Sequence, residues 1–151
     1  GLMMTRILCL SLACAIALLP AHTAMAGSQI LNEPTEKLDW QTTPEGVAFA
    51  ALVGDRFAEA YMAMVKLPAG LVSPPHTKSA NMFGVMISGS MIHVSVNSNP
   101  QDEVVLPQGS FYKIPKNLPH VSKCVSKTDC VTFLYQDGKF DFLPVTGQVT
   151  Q

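Results

Sequence analysis

The sequence predicts an all-β domain, a sandwich or barrel of short antiparallel strands. Its apolar runs have the length of strands and are bounded by Gly, Pro, Asn or Asp. Turn signals recur about every ten residues along these runs. Helical periodicity is weak beyond the N-terminal leader. A chain of 151 residues accommodates one such domain.

The first residues have the pattern of a secretory leader. Arg6 precedes an apolar run over residues 7–19, Pro20 ends the run, and small residues flank a cleavage position after Ala26. A membrane anchor or an N-terminal core helix is the competing interpretation, but the run is too short to cross about 30 Å of hydrocarbon. We therefore expect a helical signal peptide over residues 1–26 and an exported protein, periplasmic or secreted.

The predicted organisation has three parts. The signal peptide includes Gly1 and Leu2, which precede Met3 and look non-native or misassigned. Residues 27–46 are polar, contain the only tryptophan and are expected to form an N-terminal arm or edge strand over the barrel. Residues 47–151 form the β domain. The runs expected to be strands are 47–53, 61–67, 82–87, 91–96, 111–114 and 131–135.

Composition narrows the class of partner. Ten Lys and Arg residues against eleven Asp and Glu residues give a net charge of −1, with no basic block for contacting phosphates. Nucleic acid is therefore not an expected partner, and neither is the membrane once the leader is removed. Apolar residues at 48% and charged residues at 14% also argue against intrinsic disorder.

Leader removal leaves two cysteines, Cys124 and Cys130, on either side of a polar turn. Export delivers the chain to a compartment where thiols oxidise, so the pair is expected to form a structural disulfide. The small closed loop makes this bond worth about 2 kcal/mol. A redox pair and a zinc site are the alternatives, but the first prefers two intervening residues and the second needs more soft ligands.

Two sets of residues carry the chemical content of the chain. The first set is Gly70, His76, Lys78, Met82 and Gly89. The second set is Gly109, Pro115, Asn117 and His120. In order, and separated by strand-like sequence, they resemble the two motifs of the cupin superfamily. The segments 67–77, 84–89, 119–124 and 135–142 look similar to the small single-domain ChrR-like cupins of unassigned function, and the resemblance covers roughly residues 46–145.

The resemblance implies a single cupin barrel, a double-stranded β-helix whose two motifs lie on facing strands. Cupins commonly direct two His and a Glu from the first motif and a His from the second into the mouth. This chain matches His76 and His120, but Lys78 occupies the second His position and Met82 the Glu position. A catalytic metal normally needs three protein ligands, and an ammonium repels the ion. The expected cofactor is at most one weakly held divalent transition metal on the two histidines.

Other residues of possible chemical interest have simpler interpretations. His93 alternates with Met91 and Ser95 on the less apolar face of its strand, which predicts a surface or supporting histidine. The methionines could suggest copper handling in an exported protein, yet methionine also fills irregular cores. We favour filling of the core. These methionines are Met62, Met64, Met82, Met86 and Met91.

Three function hypotheses follow. In the first, His76, Lys78, Met82 and His120 bind a small anionic molecule in the barrel mouth, with a degenerate metal site. In the second, His76 and His120 serve a metal-dependent oxygenase, isomerase or lyase. In the third, the domain is a structural or sensory partner module, and a homodimer is compatible with all three. No esterase elbow, phosphate loop or zincin helix motif occurs, so enzymatic activity and catalytic residues stay open.

Overall fold

The computed structural model describes residues 28–145, so the predicted signal peptide lies outside the described residues. Contacts separate the chain into two units, Gly1–Asn32 and Glu33–Gln151, and every strand reported below belongs to the second. Helix within residues 28–145 is limited to two 3-10 turns, Thr35–Lys37 and Pro100–Asp102. No helix in this described part is long and apolar enough to span a membrane.

Between residues 28 and 145 ten strands form two antiparallel sheets, which confirms the all-β prediction. In chain order they are β1 Trp40–Thr42, β2 Ala48–Val53, β3 Tyr61–Leu67, β4 His76–Thr77, β5 Met82–Ser88, β6 Met91–Ser95, β7 Phe111–Ile114, β8 His120–Cys124, β9 Cys130–Gln136 and β10 Leu143–Pro144. One sheet has the order β1-β2-β3-β9-β5-β7 and the other the order β10-β4-β8-β6.

The core lies on the inner face of the six-stranded sheet. Strands β3 and β9 alternate buried and less buried residues along their whole length, as expected for strands with one face on the core. Tyr61 pairs with Gln136 and Ala63 with Leu134, and all four side chains are buried. The Tyr61 hydroxyl donates to Gln136 Oε1 at 3.2 Å, so this buried polar pair is satisfied.

Gly84 permits a close approach inside the sandwich. A Cβ atom at this position would overlap the phenol ring of Tyr112 on the neighbouring strand β7. The phenol ring therefore occupies the space that a side chain at residue 84 would need. The ring is buried, and its hydroxyl forms a hydrogen bond with Thr132 Oγ1 at 3.0 Å. This arrangement places Tyr112 in the interior, facing the four-stranded sheet.

The disulfide between Cys124 and Cys130 is present in the structure. It joins the end of β8 to the start of β9, with the two Cα atoms 5.8 Å apart, and both residues are buried in the core cluster. His120 lies at the other end of β8. The bond therefore ties the two sheets together away from the histidines.

The six apolar runs expected to be strands all form strands. The additional strands are β1, β4, β8 and β10, which are short or carry polar residues on one face. The predicted arm does contain an edge strand, because β1 pairs with β2 at the edge of the six-stranded sheet. The boundary between arm and cupin domain at residue 47 stays a prediction.

Candidate functional site

Two histidines meet in the four-stranded sheet. His76 on β4 and His120 on β8 are direct partners in the antiparallel register, and their ring centroids lie 4.2 Å apart. Only 4% of His76 and 2% of His120 is exposed to solvent. The structure thus brings together the two histidines that match the cupin ligand positions.

Backbone carbonyls fix the tautomer of both imidazoles. Nδ1 of His76 lies 2.9 Å from the carbonyl oxygen of Pro74, and Nδ1 of His120 lies 2.8 Å from that of Leu118. A carbonyl oxygen only accepts, so each Nδ1 carries the hydrogen and each Nε2 presents a lone pair. Nε2 of His120 is buried and has no hydrogen-bond partner in the described structure.

Burial keeps this histidine pair neutral. It lowers the pKa of His76 to about 4, with smaller contributions from the neighbouring His120 and Lys78. Burial likewise lowers the pKa of His120, and the Lys78 charge adds to that effect. Around neutral pH the pair therefore offers acceptors and carries no positive charge.

Lys78 brings a buried cation to the same region. Its side chain is 6% exposed, and Nζ donates to the backbone carbonyl of Asp141 at 2.6 Å. The ammonium also lies 4.2 Å from the centre of the Phe140 ring and 5.6 Å from that of Phe142. Burial lowers the pKa of Lys78 to about 8, although the charge of Asp141 acts in the opposite direction.

No carboxylate forms an ion pair with Lys78 within residues 28–145, where the ion pair found is Lys123 with Glu103. The carboxylate of Asp141 accepts instead from the backbone N–H of Ser79, at 3.0 Å. Lys78 is thus a buried ammonium whose hydrogen-bond and ring contacts are all with uncharged groups. A buried cation without a paired anion is costly unless a ligand supplies the charge.

Met82 lies on the opposite sheet. It pairs with Ile114 on β7 and Gln136 on β9, both buried, and it packs partly buried against the core cluster. The position where cupins commonly carry a Glu therefore holds an uncharged thioether on the inner face. Its role as a ligand contact stays a prediction.

His93 belongs to this region as well, so of the two predicted alternatives the structure favours a supporting histidine over a surface one. It pairs with Ser122 on β8, two residues from His120, and shares the inner face. Its Nδ1 lies 2.8 Å from Ser122 Oγ, its ring centroid lies 4.1 Å from that of Tyr112, and its Nε2 is buried without a hydrogen-bond partner. Burial lowers the pKa of His93 to about 4, with a smaller contribution from His120.

Residues 137–145, which we call the strap, pack on the histidine pair at His76. Phe142 stacks on the His76 ring with centroids 4.2 Å apart and planes 18° apart. Strand β10 in the strap pairs with β4, placing Pro144 opposite His76. The aromatic residues Phe140 and Phe142 stand out in the sequence of this segment. The sequence does not indicate that Phe142 would contact His76.

The donor set does not fit a catalytic divalent metal. Within residues 28–145 no group of three or more His, Cys, Asp or Glu side chains is placed to hold an ion. The charge of Lys78 further disfavours a second cation beside the two imidazoles. The metal-ligand role predicted for His76 and His120 is therefore not supported by a third protein donor.

Solved structures that share this fold include proteins described as cupins. An RmlC-like cupin from Ralstonia eutropha JMP134 has 17% identity and a TM-score of 0.59, covering 73% of this chain and 69% of that one. The polyketide cyclase RemF from Streptomyces resistomycificus has 13% identity and a TM-score of 0.62, with coverages of 80% and 88%.

The complex of SigE with the anti-sigma ChrR from Rhodobacter sphaeroides has 19% identity and a TM-score of 0.55, with coverages of 69% and 51%. The chain thus spans about half the length of that relative. At these identities the likeness concerns the fold. No curated protein matches the chain. Residues 21–143 match the model of one family, and the chain therefore belongs to the family described as Domain of unknown function (DUF4437).

Proposed function

We propose that this protein binds a small organic anion at the cluster formed by His76, Lys78 and His120. The observation that carries the proposal is the buried ammonium of Lys78, which has no ion pair within the described residues. A ligand carboxylate would supply the missing charge and accept a charge-assisted hydrogen bond. Binding of such a ligand requires no intact metal site.

The imidazoles restrict the ligand further. A carboxylate oxygen has only lone pairs to offer, and it would face the lone pair of a neutral Nε2. Nε2 of His120 has no hydrogen-bond partner and can accept a hydrogen bond from a donor on the ligand. Nε2 of His93 can do the same if Nδ1 of His93 carries the hydrogen. We therefore propose a hydroxy acid, whose carboxylate binds Lys78 and whose hydroxyl groups donate to imidazole nitrogens.

Access to this cluster involves the strap. His76 is buried beneath Phe142, whereas β10 is two residues long, exposed, and paired with a strand of the same length. So short a pairing opens locally at low cost compared with the core strands. In this proposal the strap opens to admit the ligand and then closes over it.

The fold by itself does not choose between catalysis and binding. Structures with this fold include a polyketide cyclase and an oxalate oxidase as well as the anti-sigma ChrR. The donor set found here supports binding. A metal-dependent activity would need a third ligand, and no His, Cys, Asp or Glu between residues 28 and 145 is placed to supply it.

Calorimetric titration with malate and succinate tests the proposal, because the two dicarboxylates differ by one hydroxyl. Malate is expected to bind more tightly, and Lys78→Met is expected to weaken it by at least about tenfold. Lys66→Met is the matched control. Nζ of Lys66 also lies 4.2 Å from the centre of an aromatic ring, that of Trp40, but Lys66 is on the outer face of β3. Equal malate affinity in Lys78→Met and natural protein would refute the proposal, as would absence of binding for both acids.

We also propose that the protein is exported after cleavage behind Ala26. The disulfide between Cys124 and Cys130 supports this, since such bonds persist in oxidising compartments. Mass spectrometry of the N-terminus, on protein recovered outside the cytoplasm, tests the cleavage. A retained leader, or recovery confined to the cytoplasm, would contradict it.

A further inference from the structure

A cavity lies on the inner side of the sheet edge formed by β1, β2 and β3. Its volume is about 400 Å³, within the range of small-molecule sites. The lining residues include Gln41, Phe49, Ala51, Arg56, Phe57 and Tyr61, and none of the lining residues belongs to the His76, Lys78 and His120 cluster.

Arg56 is the charged donor of this cavity. Its guanidinium carbon lies 4.1 Å from the centre of the Phe57 ring, 4.5 Å from that of Phe49 and 5.5 Å from that of Phe140. No carboxylate pairs with it in the described part of the chain. Its Nη1 is buried without a hydrogen-bond partner.

The ring contacts stabilise the charge of Arg56 but leave this N–H group unused. Cation–π contacts act on the faces of the rings and the guanidinium plane, whereas the N–H groups still need acceptors. A buried N–H without an acceptor destabilises the protein. The geometry points to a ligand that supplies an acceptor at Nη1, with Phe57, which is 65% exposed, turning aside to admit it.

We infer that Arg56 binds the carboxylate of a flat aromatic monocarboxylic acid in this cavity. The guanidinium fork matches a carboxylate in two parallel hydrogen bonds, and Phe49 and Phe57 offer apolar surface to a ring. Asp39 and Asp55 also line the cavity. Asp55 already accepts a hydrogen bond from the Phe57 N–H. Since the carboxylates of Asp39 and Asp55 would repel a second negative charge on the ligand, the site favours a monoanion over a dianion.

Fluorine NMR with 4-fluorobenzoate as the probe tests this site. We expect a saturable shift or broadening with natural protein, and at least about tenfold weaker binding in Arg56→Gln, which removes the charged fork. Ala51→Phe fills the cavity and leaves Arg56 in place, so it is expected to weaken binding of the probe to a similar degree. The neutral analogue 4-fluorobenzamide is expected to bind at least about tenfold more weakly than the acid.

Lys78→Met separates this site from the one proposed above. The probe is expected to bind this variant as it binds natural protein, whether or not malate binds the histidine cluster. Undiminished binding in both Arg56→Gln and Ala51→Phe would overturn the inference, and so would an absence of saturable binding. Loss of the probe in Lys78→Met would also overturn it, because the acid would then occupy the other cluster.

Discussion

The backbone N–H of Asn117 donates to the carbonyl of Lys78 at 2.8 Å, which ties the second cupin motif to the first. Asn117 adopts a left-handed backbone, with φ at 62°, in the turn that precedes His120. The turn therefore sets where β8 begins. It holds His120 opposite His76 without using the side chain of Asn117 in that contact.

This turn predicts how Asn117 responds to substitution. Asn117→Gly is expected to leave stability nearly unchanged, because glycine adopts the left-handed region freely. Asn117→Val is expected to lower the free energy of unfolding by about 1–2 kcal/mol, because a β-branched residue is strained there. Urea unfolding of both variants measures the difference. Equal stability of the two variants would show that the backbone at residue 117 is not constrained in this way.

Acid is expected to destabilise the fold through its buried histidines. Burial lowers the pKa of His76 and of His93 to about 4, and that of His120 in the same direction. Between the ordinary pKa of 6.5 and about 4 the unfolded chain takes up protons that the folded chain does not, so stability falls as pH falls through this window. The midpoint of urea unfolding, measured from pH 7 to pH 4, reports this loss of stability.

A double variant tests the histidine origin of this acid sensitivity. Replacing His76 and His93 with Gln keeps polar side chains at both positions and removes two titrating groups. The stability of the variant is expected to change less over the same pH range. A slope equal to that of natural protein would show that His76 and His93 are not the source of the acid sensitivity.

The affinity for a hydroxy acid is expected to depend on pH through Lys78. The pKa of this ammonium is lowered to about 8 by burial, so the free protein loses the charge as pH rises through that value. Malate affinity should accordingly be highest below about pH 8 and should fall above it. Calorimetry between pH 7 and pH 9.5 measures the trend, and a flat profile would exclude Lys78 as the group that binds the carboxylate.

The disulfide is expected to stabilise the fold without contributing to binding. Replacing Cys124 and Cys130 with Ser should lower the free energy of unfolding by about 2 kcal/mol, as a small closed loop implies. Malate affinity should stay unchanged, because the bond lies at the end of β8 remote from His120. Urea unfolding, calorimetry and thiol alkylation of exported natural protein check the three parts. Two freely alkylated cysteines in that protein would contradict the structure.

The contrast between β3 and β4 shows how far sequence predicts this fold. The run over residues 61–67 is apolar at every position except Lys66 and matches the bounds of β3, whose alternate residues pack on the core. Strand β4 has two residues and exists through its pairing with β8 and β10. A strand formed by such long-range pairing leaves little periodicity in the sequence.

The same limit applies to the candidate site. Motif spacing identified His76 and His120, and strand alternation grouped His93 with Met91 and Ser95. Only the register of β6 against β8 shows that this polar face is the inner one. The sequence shows the aromatic residues of the strap but does not predict the contact of Phe142 with His76, because this contact joins residues far apart in the chain.

The identity of residue 78 is expected to decide whether the cluster binds a metal. In the natural protein two imidazoles are available, and the nearby ammonium opposes a divalent ion. Lys78→His would remove the charge and add a third nitrogen donor beside the pair. Because three protein ligands suffice for zinc in an open site, the affinity for Zn²⁺ should rise by at least about tenfold.

Lys78→Met separates the two causes of this expected gain, since it removes the charge without adding a ligand. If repulsion alone limits the natural protein, Lys78→Met and Lys78→His should bind Zn²⁺ equally, and residue 78 would not be a ligand position. If ligation matters, only Lys78→His should gain, and adding His120→Ala to it should abolish the gain. Tight stoichiometric binding by the natural protein, unchanged in Lys78→His, would instead exclude the degenerate site and favour a metal-dependent activity on His76 and His120.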